Sequence, residues 1–173
     1  MTLEQRRLLG SAMAARARQW RTRMALGLFM AGAFFTMTGV SFAIAWLALY
    51  ACLQLIEVQL IRAHKRSSDW LPSESWSWLA IGFVVLNNFA FGSFAIRQAF
   101  GEEDLGVTAA VFVLCGAIVN GLIACAGSRA LTWASIGPQI VCLSAVGAAI
   151  MVSGVPTLAT TQLAVASALF VMT

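Results

Sequence analysis

Charge is what this sequence has least of. Only 10% of its 173 residues are Asp, Glu, Lys or Arg, while 60% are hydrophobic and the mean hydropathy is +0.84. Soluble domains carry about a quarter of their residues as charged groups. A chain this short cannot hide so much apolar surface in a water-soluble core. Segments of alternating apolar and polar residues are missing too, which excludes a membrane β-barrel, where segments of about ten residues alternate. The start lacks a short apolar core ending in small residues, so no secretory signal peptide is read and the first span serves as the insertion signal. The four cysteines, Cys52, Cys115, Cys125 and Cys142, form no CxxC pair and read as small hydrophobes within spans. There is one histidine, His64, in a basic loop, with no companion ligands for a metal. Phosphate loops, HExxH and nucleophile–base patterns are absent, so no catalytic residue, metal or cofactor is assigned.

What is present is a series of long runs rich in Ala, Gly, Leu and Phe. Backbone groups in hydrocarbon are satisfied within a helix. The composition therefore predicts an all-α integral membrane protein, a six-helix bundle preceded by a basic amphipathic helix. Residues 1–23 form that first segment, with Arg6, Arg7, Arg16, Arg18, Arg21 and Arg23. Leu9, Met13 and Trp20 follow at helical spacing and can face lipid, as in helices that lie on anionic membrane surfaces. An ordinary cytosolic tail that only fixes topology is the alternative.

Residues 24–173 form the membrane domain. The apolar run Met24–Ile61 is 38 residues long. As one helix it would reach about 57 Å at about 1.5 Å per residue, against a hydrocarbon core of about 30 Å. It must break, and "TMTGVS" at Thr36–Ser41 offers Gly39 for the corner. Spans are predicted at about 20–38, 40–62, 76–97, 106–126, 131–151 and 155–173. Pro72 and Ser73 suit the start of the third, and Asp104 an N-cap for the fourth. "GSR" makes the turn before the fifth, and Pro156 opens the sixth. Trp70, Trp76 and Trp78 fit an interfacial belt. The last span is still apolar at Thr173, which leads us to expect the membrane part of a longer protein.

Six spans with the amino terminus inside place ten of the eleven basic residues on the cytoplasmic side. Arg97 is left outside with Glu102, Glu103 and Asp104. This obeys the positive-inside rule. It predicts a bacterial inner-membrane protein with both termini cytoplasmic, and it explains the net charge of +4 without nucleic acid.

Few groups in the spans carry chemistry. Tyr50, Gln54 and Glu57 stand at i, i+4 and i+7 and so share one helix face. A charged, unpaired carboxylate in a span costs several kcal/mol, so Glu57 should look into the bundle. It lies about 8 Å inside Arg62 by helical rise. Asn120, Pro138 and Gln139 fall at comparable depth, which predicts a polar layer in the cytoplasmic half. Glu57 reads either as a signal-sensitive group or as an anchor bonded to a neighbouring helix, Arg62 or Lys65. Asn87 and Asn88 sit mid-span and read as interhelical glue or ligand contacts. Ala117, Gly121 and Cys125 form a small-residue stripe for close helix approach. Pro138 should kink its helix.

The basic first helix, the tight hairpin, "WLALYACLQLIEVQLIR", the mid-membrane "NN" and "VFVLCGAIVNGLIACAGSRALTWASIGPQI" occur in that order. This layout resembles the multi-span amino-terminal sensor regions of bacterial histidine kinases, especially the hybrid kinases of alphaproteobacteria. The resulting expectation is a sensory module, dimeric in the full protein, whose short outer loops point to a small or lipid-borne signal. It would pass the signal through the last helix to a cytoplasmic kinase domain in cis, with Tyr50, Gln54, Glu57, Asn87, Asn88 and Asn120 as sensing candidates. A small transporter or channel subunit is the competing expectation. A membrane enzyme ranks last, since no catalytic constellation is present.

Overall fold

A computed structural model describes residues 1–66, 72–100, 105–125 and 127–153. Helices make up the regular structure of these residues: α1 (Leu3–Arg18), α2 (Trp20–Thr38), α3 (Val40–Arg66), α4 (Glu74–Ala99), α5 (Leu105–Ala124) and α6 (Arg129–Ser153). The expected sixth span, Pro156, Asp104 and the acidic loop, and Trp70 lie outside the described residues.

Local chemistry fixes the helix ends. Thr2 Oγ1 accepts from the Gln5 N–H at 3.2 Å and the Thr2 N–H donates to Gln5 Oε1 at 2.9 Å, a reciprocal cap that starts α1. A single residue, Gln19 (φ −86°, ψ 6°), joins α1 to α2. The predicted corner falls at Gly39, whose φ of +86° is one that side chains with a Cβ rarely adopt. Ser73 caps α4 by accepting from the Trp76 N–H at 3.2 Å. Gly127 (φ +104°) makes the turn between α5 and α6, and Thr132 Oγ1 ties it by donating to the Cys125 carbonyl at 3.0 Å.

Among the described residues, four helices are long and apolar enough to cross a membrane: Val40–His64, Glu74–Ala99, Gly106–Ala124 and Arg129–Ala148. They correspond to predicted spans two to five. The first predicted span is a helix over the expected 20–38, but it is not among the four. Arg21 and Arg23 stand in its first turn, and any stretch of α2 long enough to cross includes both. The helical dihedrals of α2 are also interrupted at Phe34 (φ −121°, ψ 15°). In α6, by contrast, the helix continues through Pro138.

α4 is the central helix and packs against every other helix of the described chain. Its partner α6 comes close at Gly92, where a Cβ would stand 2.6 Å from Cys142 Sγ. Gly121 of the small-residue stripe gives α5 the same access to α6, beside Ile136 and Ser135. Among the described residues, apolar side chains gather in three clusters. One joins α4, α5 and α6 around Leu114, Ile118 and Val146. Another joins α2, α3 and α4 around Met30, Trp46, Phe91 and Phe94, with the Trp46 and Tyr50 rings stacked at 5.2 Å.

The third cluster corrects the reading of the first segment. Leu9 and Met13 are fully buried against Ile61 of α3, Ala80 and Val84 of α4, and Leu131 and Ala134 of α6. The apolar stripe of α1 therefore faces protein rather than lipid. The segment also ends as a helix at Arg18, not at residue 23. α1 closes one end of the bundle, here termed the proximal end.

Candidate functional site

The buried carboxylate organises the proximal half. Glu57 is fully buried on α3, and its partners come from three other helices. Arg16 of α1 donates from Nε to Oε1 at 2.7 Å, with its NH2 group 3.5 Å from Oε2. Arg23 of α2 donates from one NH1 to Oε1 at 3.2 Å and to Oε2 at 3.4 Å. Asn87 of α4 donates from Nδ2 to Oε2. Arg23 also donates to the Arg16 carbonyl at 3.0 Å, which braces the α1–α2 junction. The acceptor sites of one carboxylate are thus fully used. A buried ion pair is strongly disfavoured once a partner is removed, because the remaining charge is left uncompensated.

Of the six predicted sensing residues, the structure joins three directly. Glu57 bonds Asn87, and Gln54 Nε2 donates to Asn87 Oδ1 at 3.5 Å. Tyr50 lies on the same face, one turn beyond Gln54, and is buried. Asn88 belongs to a separate link: Gln139 Nε2 donates to its carbonyl at 2.8 Å, and its own Nδ2 donates to the Val84 carbonyl at 2.8 Å. Asn120 is exposed and makes no bond to Glu57. The expected partner Arg62 points elsewhere; it lines a second hollow with Arg18 and Arg21. The side chain of Lys65 lies outside the described residues.

Sequence reasoning missed Arg16 and Arg23. Both were counted as topological charges. A signal was present nonetheless: Leu9, Met13 and Arg16 repeat the i, i+4, i+7 spacing of Tyr50, Gln54 and Glu57. A cation on the apolar face of one helix answers an acid on the apolar face of another.

Beside this cluster runs a cleft of about 510 Å³, within the range of about 300–1,000 Å³ usual for small-molecule sites. α2 and α5 form its two walls and do not pack on each other along their length. α3 and α4 form its floor through Tyr50, Gln54, Asn87, Asn88 and Phe91. Polar groups collect at the proximal end: Arg16, Arg23 and Asn120 with the floor amides. Met30, Phe34, Phe91 and Phe112 line the other end. Phe29 and Phe112 stand on the two lips, 65% and 75% exposed, so the opening is lateral and apolar. Glu57 does not reach the cleft; the two guanidinium groups stand between it and the open space.

Among the described residues no three of His, Cys, Asp and Glu come together as a metal site. Comparison with family models, with curated proteins and with solved structures returns no match, and the ground for a function is the geometry of this cluster and its cleft.

Proposed function

We propose that the chain is a membrane-embedded sensory module, working as the membrane part of a phosphorelay of the histidine-kinase type in a bacterial inner membrane. In this reading the proximal end faces the cytoplasm, consistent with the concentration of arginines there. The full protein works as a homodimer, with a kinase domain in cis reached through the last helix.

One observation carries the proposal. A single carboxylate ties together α1, α2, α3 and α4 beside a cleft that opens between α2 and α5. A sensor needs two packings that a ligand can tell apart. Here the two states are α1 seated, with Arg16 on Glu57, and α1 released. A ligand in the cleft touches Arg16 and Arg23 directly, so it acts on the link that holds α1. The transport reading asks for a path through the bundle, and the burial of Leu9 and Met13 at the proximal end favours a closed module instead. Saturable uptake into proteoliposomes would reverse that preference.

The test is a distance measurement. Spin labels at Ser11 and Ser75, both exposed, report the seating of α1 on α4 in a background lacking the four native cysteines. The native sequence should give one narrow distance. Glu57→Gln should add a second, longer population. One unchanged distance in Glu57→Gln would sink the latch, and with it the sensory reading.

A further inference from the structure

The charges in the Glu57 cluster do not balance. Two guanidinium groups, Arg16 and Arg23, share one carboxylate. Neither has another acidic partner among the described residues. Both are substantially buried, with side chains about a tenth exposed, so water screens the surplus positive charge poorly. The Nε of Arg23 is buried and has no acceptor among the described residues. The surplus charge faces the cleft, because Glu57 sits behind the guanidinium groups and Arg16 and Arg23 line the space in front.

Beyond the amides of its proximal end the cleft is apolar, lined by Met30, Phe34, Phe91 and Phe112 and continuous with the opening between Phe29 and Phe112. From the level of Arg23 to that of Phe34 the wall of α2 runs about 16 Å by helical rise. A cationic end, a long apolar groove and an entrance from the side together describe a receptor for a molecule with one negative head and one hydrocarbon tail.

We infer that the cleft between α2 and α5 binds an anionic single-chain amphiphile drawn from the bilayer, its head on Arg16 and Arg23 and its tail along Met30, Phe34 and Phe112. This names the ligand class for the sensory reading above and rests on the same cleft. The head completes the charge balance of the cluster and accepts from donors that Glu57 alone leaves unused. The Asn120 amide, on the opposite wall, stands at the same end to bond a second head-group oxygen.

The probe is radiolabelled dodecyl phosphate, titrated into the full chain in phosphatidylcholine nanodiscs. Saturable binding is expected, displaced by laurate but not by inorganic phosphate, which lacks the tail, nor by dodecanol, which lacks the charge. Gly116 lines the cleft with nothing within 4 Å of its Cβ position, so Gly116→Phe is the variant chosen to fill the groove. That variant should lose at least tenfold in affinity while keeping the native Ser11–Ser75 distance. Arg23→Gln leaves Arg16 and Glu57 as a balanced pair, and should keep the fold while losing the preference for dodecyl phosphate over dodecanol.

Equal displacement by dodecanol, or undiminished binding by a correctly folded Gly116→Phe, overturns the inference. So does a benzophenone at position 112 that captures residues 155–173 of this chain, or a second copy of it, in place of lipid. Binding without any movement of α1 upholds the ligand and removes the sensory reading. Absence of binding, with α1 still released in Glu57→Gln, does the reverse.

Discussion

The two long faces of α4 are built differently. Toward α6 it presents Gly92, so close to the neighbouring helix that Cys142 Sγ and Gln139 Oε1 occupy the space a side chain would need. Toward the gap between α2 and α5 it presents Asn87 and Phe91 to an open cleft. The first face is closed by small residues and dispersion contacts, the way helices associate in lipid without a hydrophobic driving force between them. The second is held at one end by charge and left open along its length. The comparison teaches that close packing and open space are divided between opposite sides of one helix: the α4–α6 contact is the tight frame, and the gap between α2 and α5 is the open side.

The sharpest way to break that division is at the charged end. Glu57→Ala leaves two buried guanidinium groups without their carboxylate and should cost about 3–5 kcal/mol. The loss is measured by unfolding in mixed micelles with a label on Ser11. It should appear first as detachment of α1, with the α4–α6 contact intact. Leu9→Ala removes a fully buried side chain from the seat of α1 and should cost about 2–5 kcal/mol in the same assay. Its effect should not add to that of Glu57→Ala once α1 is already free, because coupled sites depart from additivity.

The frame is tested next. Gly92→Val drives methyl groups into Cys142 and Gln139 and should cost about 1–3 kcal/mol, read as a lower unfolding midpoint of α4–α6 with the α1 distance preserved. The smallest effect belongs to the cleft wall. Gly116→Val, with nothing within 4 Å of its Cβ position, should change stability by less than about 0.5 kcal/mol. A Gly116 variant as damaging as the Gly92 one would erase the contrast between the two faces.

Much of the fold was legible in the residues. Gly39 marks its corner because a tight reversal needs a positive φ, and Ser73 marks the start of α4 because a hydroxyl there can accept from the first turn. Glu57 could be placed facing inward, since a carboxylate in a span is tolerated only beside partners. Its partners could not be placed. Helical periodicity says that Leu9 and Met13 share a face, but lipid and a neighbouring helix are equally apolar to that pattern. Arg16 and Arg23 fit the count of cytoplasmic charges so well that nothing required them to have a second role. Asn120 matched the others in depth, yet depth does not fix which way a side chain turns, and it stands exposed on the cleft wall. The cleft arises from the failure of α2 and α5 to meet, a property of tertiary arrangement with no local signature.

The seat of α1 has a consequence for assembly. Its hydrophobic floor is made by Ile61, Ala80, Val84, Leu131 and Ala134, and its ionic clasp by Glu57. The ribosome makes the first helix well before any of these residues exist, and chains emerge from the amino terminus. Helix α1 is therefore made before its own seat and can dock only after residue 134 has been synthesised, so a contact near one end of the sequence waits on residues far along it.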